Sequence, residues 1–341
     1  MSEDSESENG EDIKDSDDPS TVTKYQHHQL SLRFVRGKNE RKESAAYSDT
    51  ECFWVFPASN INKEEVFTLR TPDLDRLRQN QWLNDEIINF MMKYIYAKWP
   101  LSLQHKVFIF NSFHFALLAQ DVLSTIKVEG STALKTTRKS LTKEVVRKMM
   151  KQTKKLSSIF DREYIVMPIC DQHHWVLAII WNHDKVWKHR DSTQRQWKDD
   201  EKCTIIVMDS MNRGNSKNSH IHMVLVTWLM VQAFGNGYDF KNAQTLFNGS
   251  RKNLRVRVVK VPQQPNQVDC GCFMLRNVLQ FGSDGGLSVD ALRAGLPEWY
   301  HVNEGVGYRK EILNVVDMLA EEQYGYIEQM VQRSKPKGKR L

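Results

Sequence analysis

The chain is short of several things, and each shortage removes a class of protein. No apolar run in its 341 residues approaches the roughly 20 residues that a membrane-spanning helix needs. The first 18 residues hold one basic residue, Lys14, against nine acids, so they lack the basic-then-apolar pattern of a secretory signal. Five cysteines are few and odd in number, and no two stand in a CxxC spacing, which argues against both a disulfide scaffold and a zinc site. Large apolar residues are scarce in the opening SEDSESENGEDIKDSDD, too charged to bury a core. The basic stretch from 127 to 155 carries Lys127, Lys135, Arg138, Lys139, Lys143, Arg147, Lys148, Lys151, Lys154 and Lys155 but no aromatic residue. A nucleic-acid surface usually interleaves the two, so a solvated helix face is the better reading. The expectation is a soluble intracellular protein in a reducing compartment, with no metal, no membrane and no nucleic-acid partner.

What is present is enough for a large core: 40% hydrophobic residues and 9 tryptophans. The formal charge of +6 divides into about −8 over residues 1–18 and about +14 over the remainder. The expected organisation is a disordered acidic tail at 1–48, one folded domain at 49–325 with a polar surface insertion at 182–202, and a disordered basic tail at 326–341. RSKPKGKRL at the end is a candidate nuclear-localisation signal, so the nucleus is the expected compartment, with the cytoplasm second.

The pivotal stretch is VPQQPNQVDCGCFMLRNVLQF, residues 261–281. RVRVVKV (255–261) reads as a strand, Pro262 and Pro265 break it, and an apolar pattern of helical period follows. Asp269 is a good N-cap, which puts Cys270 at the first helical position, with Phe273, Met274, Val278 and Phe281 on one buried face. Free backbone N–H groups and the positive end of the helix dipole favour a thiolate there, the nucleophilic form of cysteine. The bland alternative is a small buried residue opening a core helix.

A nucleophile needs a base and a group to orient the base. YIVMPIC (164–170) and HWVLAIIW (174–181) read as a hairpin across a tight connection, and TIIVMDSM (204–211) as a buried strand. If the second and third of these pair antiparallel, His174 at the start of one lies beside Asp209 at the end of the other. The insertion then falls roughly 20 Å away, at about 3.3 Å per residue. His173 competes with His174, and Asp191 in the insertion competes with Asp209, which is favoured because an unbroken apolar strand precedes it. Gln264 and the backbone N–H of Cys270 are candidate donors to an oxyanion. Taken singly, a strand histidine is usually a core residue and a strand-end aspartate a turn residue.

WLNDEIINF, FIFNSFHF, PICDQHHW, IIVMDSM and PQQPNQVDCGCF, in that order, resemble the ubiquitin-like protein proteases, the sentrin or SUMO-specific cysteine peptidases. The resemblance spans about 52 to 322. CTIIVMDS, KVPQQPNQVDCG and YRKEI are most similar to the insertion-bearing branch associated with trimming SUMO chains. It implies an α+β fold of the papain-like superfamily, with a central mixed sheet between helical layers. It also implies Cys270 as nucleophile, His174 as base, Asp209 as orienter and Gln264 at the oxyanion, with no cofactor. Trp82 and Trp175 would line a tunnel for a Gly-Gly tail, which alone is slim enough to pass between two indoles. Asp85 would pair with a basic residue of the modifier. The implied activity is hydrolysis after the terminal glycine of SUMO to free it from lysine in conjugates or chains, with precursor processing as a second use. The rivals are the same chemistry on ubiquitin or the modifier of cullins, a catalytically silent SUMO-binding scaffold, and a nucleic-acid-binding protein built on 127–155.

Overall fold

A computed structural model describes residues 51–55, 66–126, 159–185, 198, 202–214, 218–235 and 254–334. Asp191, most of the 182–202 insertion, the basic stretch 127–155 and the segment 1–48 lie outside the described residues.

Five strands form the central sheet: β3 (Val107–Ile109), β4 (Tyr164–Asp171), β5 (His174–Trp181), β6 (Cys203–Met208) and β7 (Leu254–Val259), ordered 3-4-5-6-7. The sheet is mixed. β4, β5 and β6 are antiparallel neighbours, whereas β3 lies parallel to β4 and β7 parallel to β6. A separate hairpin pairs β1 (Glu51–Val55) with β2 (Val66–Arg70).

Every residue of β5 and β6 is buried, because helices cover both faces of the sheet. Ile165, Met167, Val176, Ala178, Ile205 and Val207 face one side and pack with helices α4 (Phe113–Ile126) and α5 (Ser219–Gly235). The alternate residues Val166, Leu177, Ile179, Ile206 and Met208 face the other side. There they meet α2 (Asp85–Lys98), α6 (Cys270–Ser283) and α8 (Val302–Ser334). This is the expected α+β architecture of a mixed sheet between helical layers.

Smaller elements complete the chain: α1 (Thr71–Leu74), continued by one 3-10 turn (Asp75–Leu77), α3 (Leu101–Gln104) and α7 (Val289–Ala294). α8 is longer than the expected 308–323 at both ends, and its last turns occupy part of the segment expected to be a disordered tail. Residues 324–334 contain no proline, and the first helix breaker beyond them is Pro336.

The topology fixes where a site can form. β4 and β5 are joined by Gln172 and His173, at φ 50° and 64°, the two left-handed residues of a tight type I′ hairpin. β6 runs antiparallel to β5, and β7 runs parallel to β6. The start of β5, the end of β6 and the loop leaving β7 therefore share one end of the sheet. That loop, 260–269, crosses the end of β6, with Gln264 N donating to Ser210 O at 3.0 Å, and delivers the chain to α6.

Candidate active site

α6 begins at Cys270, as expected. Its apolar face is extensive, with Cys270 through Leu275, Val278 and Phe281 all buried. The helix sits close to the sheet because residue 271 is glycine: a Cβ there would lie 3.1 Å from the Leu83 side chain and 3.2 Å from Trp175 Cδ1. Gly305 gives α8 the same closeness, since a Cβ would lie 2.5 Å from the Phe273 ring.

The expected cap is not made. Asp269 occupies the N-cap position, but its side chain caps nothing. Its Oδ1 accepts from Arg309 Nη2 at 2.8 Å and its Oδ2 from Asn266 Nδ2 at 2.7 Å. A buried guanidinium is a stronger partner for a carboxylate than a backbone N–H. The consequence favours chemistry, because a capping carboxylate would occupy the first-turn N–H groups that an oxyanion needs.

The antiparallel pairing of β5 and β6 puts His174 Nε2 2.7 Å from Asp209 Oδ1, with both side chains almost wholly buried. The Cys270 side chain lies near enough to the His174 ring to help raise its pKa. With Nε2 taken by Asp209, Nδ1 is the nitrogen left for the sulfur. Burial alone would lower the His174 pKa; the bond to Asp209 and the nearby Cys270, together with the charges of both, outweigh it and raise the pKa above the ordinary 6.5. Asp209 moves the opposite way. Burial pushes it up, but bonds from His174, Asn218 and the Met211 N–H hold it well below the usual carboxylate range. Burial pushes the thiols of Cys170 and Cys272 up to about 11 and about 12, and that of Cys203 further still.

Gln264 is tied to Ser210, the residue after Asp209, and its amide is fixed. Ser210 Oγ donates to its Oε1 at 2.7 Å, and its Nε2 donates to Asn266 O at 2.7 Å, which leaves the second amide hydrogen to offer.

The two histidines have different surroundings. His173, in the hairpin turn, faces the Trp82 indole, with ring centroids 6.0 Å apart and planes at 11°. Trp82 Nε1 donates to Gln267 O at 2.9 Å, and the residue is 48% exposed. Trp175 is only 3% exposed and donates to Leu83 O at 2.9 Å. Trp82 thus offers an open face and Trp175 a wall behind Leu83 and Gly271, so the two indoles are not equivalent sides of a tunnel. Asp85 is the first residue of α2, half-buried, next to the N-cap Asn84, whose Oδ1 accepts from Ile87 N at 3.2 Å.

Sequence reasoning missed the residues that hold the carboxylates: Asn218 and Arg213 on Asp209, Asn266 and Arg309 on Asp269. Asn266, three residues before Asp269, carried a readable turn signal; its Oδ1 accepts from the N–H groups of Val268 and Asp269, both at 3.0 Å. Arg309, from a helix 40 residues on, carried none. Among the described residues no group of three or more His, Cys, Asp or Glu is placed to hold a metal ion, and no helix is long and apolar enough to cross a membrane.

Comparison with known proteins gives the family and the fold. Residues 81–288 match the family described as "Ulp1 protease family, C-terminal catalytic domain". Ubiquitin-like-specific protease 2 of Schizosaccharomyces pombe is 27% identical over 71% of this chain and 37% of its own length. Sentrin-specific protease 7 of Mus musculus is 24% identical over 67% of the chain and 25% of its own length. The chain thus spans little more than a third, or less, of these curated relatives. Among solved structures, one described as a de-sumoylating protease superposes with a TM-score of 0.55 at 19% identity, covering 82% of this chain and 95% of that one, which shows a common fold. The family match covers more than half of the chain and includes His174, Asp209 and Cys270: the chain belongs to the Ulp1 family of cysteine proteases.

Proposed function

We propose that this chain is a SUMO-specific isopeptidase, with Cys270 as nucleophile, His174 as general base and acid, Asp209 as the group that orients His174, and Gln264 as an oxyanion donor. The observation that carries the reading is the buried His174 ring, bonded to Asp209 at 2.7 Å, with the Cys270 thiol at the start of α6 near enough to act on its charge.

The steps follow from these contacts. His174 takes the Cys270 thiol proton and becomes the imidazolium as the sulfur attacks the carbonyl carbon of the modifier's last glycine, and the C=O electron pair moves onto oxygen. The free Gln264 amide hydrogen and the Cys270 backbone N–H stabilise that oxyanion. It collapses to a thioester as the C–N bond breaks, and the His174 imidazolium protonates the departing lysine amine. His174 then takes a proton from water, whose oxygen attacks the thioester; collapse frees the glycine carboxylate and returns the thiol. Asp209 holds the tautomer that presents Nδ1 to sulfur.

Trp82, an exposed indole tied to Gln267 three residues before Cys270, supplies an aromatic face for the Gly-Gly tail, with Trp175 backing Gly271. Asp85 at the start of α2 is the proposed contact for a basic residue of the modifier. Preference for SUMO is supported by the names of a sentrin-specific relative and of the de-sumoylating structure. Release from lysine conjugates or chains, rather than precursor maturation, is the proposed main use, from the likeness to the insertion-bearing branch. Nuclear action is proposed from the basic tail. A second reading, the same chemistry on another modifier, is favoured by relatives named only for ubiquitin-like substrates.

The test is a panel of SUMO, ubiquitin and cullin-modifier probes carrying a C-terminal electrophile. Labelling by SUMO alone, lost in Cys270→Ala, is expected. Labelling by another modifier alone would reassign the substrate, and labelling that survives Cys270→Ala would overturn the nucleophile.

A further inference from the structure

Behind the His174–Asp209 pair lies a layer of charge that the reaction steps above do not use. Asp209 Oδ1 accepts from His174 Nε2 at 2.7 Å and from Met211 N at 3.0 Å. Its Oδ2 is occupied separately, by Arg213 Nε at 3.0 Å, Arg213 N at 3.3 Å and Asn218 Nδ2 at 3.1 Å. The turn that makes this possible reverses at Asn212, at φ 46°, and so brings both the backbone and the side chain of residue 213 onto one oxygen.

Arg213 is itself gripped. Its Nη1 reaches Asp171 Oδ2 at 3.4 Å and its Nη2 reaches Asn218 Oδ1 at 3.3 Å. Asp171 Oδ1 is held from the opposite side by His220 Nε2 at 2.9 Å. Asp171 ends β4 and stands in register with His174, so the guanidinium bridges the carboxylates of two strand ends flanking the same histidine. Asp209 and Asp171 are 1% and 8% exposed, and the Arg213 side chain 12%, so these charges meet where water screens them little.

A carboxylate free to turn about its Cβ–Cγ bond can exchange its two oxygens, and each exchange breaks the imidazole bond. Three donors committed to Oδ2 prevent it. We propose that Arg213 is a positioning residue for the peptidase reaction: with Asp171 as its counter-charge, it locks the Asp209 carboxylate so that Oδ1 stays on His174 Nε2. Arg213 acts through Asp209 and touches neither substrate nor sulfur. A lysine could match its charge but not its planar fork, which serves Asp209, Asp171 and Asn218 at once.

The inference rests on the peptidase reading, and its test separates the two. In the full chain, steady-state hydrolysis of SUMO carrying a C-terminal fluorogenic amide is measured with the melting temperature. The far-downfield proton resonance of the His174 Nε2–H···Asp209 bond is followed by NMR. Arg213→Met is expected to lower kcat on the order of tenfold with KM unchanged. The downfield resonance should broaden or move, and Arg213→Lys should recover part of both. Asp171→Asn should act in the same direction, more weakly. Wild-type kcat with the resonance in place in Arg213→Met would overturn the proposal. So would a kcat loss that tracks the melting temperature with the resonance unmoved. If the unmodified chain hydrolyses no modifier amide, the peptidase reading fails, while the resonance still decides whether Arg213 fixes the Asp209–His174 bond.

Discussion

The proposed catalytic residues and the proposed tail-binding rim are built on opposite principles. On the chemical side both carboxylates are saturated: Asp209 by His174, Met211, Arg213 and Asn218, Asp269 by Arg309 and Asn266. On the proposed substrate side Trp82 is half in solvent, tied by one bond to Gln267 and one ring contact to His173. Groups that must stabilise charge work best when already in place, because reorienting them during the reaction would cost energy at the barrier. An exposed indole must do the reverse and let a flexible tail in before covering it. Mutations on the chemical side should therefore lower kcat or stability, and mutations at the rim should raise KM.

The largest expected effect is at Asp209. Asp209→Asn can accept from only one oxygen and mismatches the donors around it, so kcat should fall roughly a thousandfold with KM little changed. The pH profile gives a second reading with a definite sign. The His174 pKa is raised by Asp209 and Cys270, so the imidazolium persists above pH 6.5, and its contribution to stability is full below 6.5 and lost as pH rises through the raised value. Removing the Asp209 charge takes part of that support away, so the basic limb of kcat/KM should move to lower pH. An unmoved limb would mean that Asp209 is not what sustains the imidazolium.

Next in size is Arg309→Met. Arg309 and Asp269 are nearly excluded from water, and Arg309 also donates to Arg76 O at 2.6 Å. Truncation leaves Asp269 with Asn266 as its remaining side-chain partner, and an underpaired buried carboxylate costs about 3 kcal/mol. Urea unfolding should show the loss in midpoint with the m-value kept. The double variant Arg309→Met/Asp269→Asn should recover much of it, since the uncompensated charge is gone. If stability is untouched in the single variant, the chemical side is less dependent on its carboxylate partners than the geometry implies.

What the sequence disclosed and what it withheld divide along a similar line. The hairpin at Gln172–His173, the strand ending at Asp209 and the helix opening at Cys270 were legible because each is signalled by neighbours in the chain: a tight connection, an apolar run, prolines followed by helical periodicity. Their convergence followed from one assumption, that β5 and β6 pair antiparallel. His173 and His174 could not be separated by sequence, since both stand at the end of the same turn; the left-handed backbone at His173 sends one toward Trp82 and leaves the other on Asp209. The Asp269 cap was misread because its competitor, Arg309, arrives from α8, and local propensity carries no information about a distant cation. The burial of Trp175 escaped for the same reason, since its cover comes from Leu83, in the loop before α2, and from Gly271 of α6.

The smallest expected effect tests the rim. Trp82→Ala removes an exposed aromatic face and one hydrogen bond to Gln267 without opening a cavity, so the melting temperature should stay within about two degrees of the unmodified chain. What it should change is the cost of holding an extended glycine tail, which buries little side chain of its own and depends on a flat partner for contact. KM for a SUMO fusion should rise about tenfold, close to the roughly 1.4 kcal/mol that one lost aromatic contact is worth, while kcat at saturation falls less. Trp82→Phe separates the two roles of the indole, since it keeps a ring for the tail and loses the N–H that ties the rim to Gln267. If Trp82→Phe restores KM, the rim acts through its aromatic face. Should both variants instead lower kcat with KM unchanged, Trp82 would belong with the pre-set chemical side, and the division between a fixed back and an adaptable front would fail at the residue where it is most exposed to test.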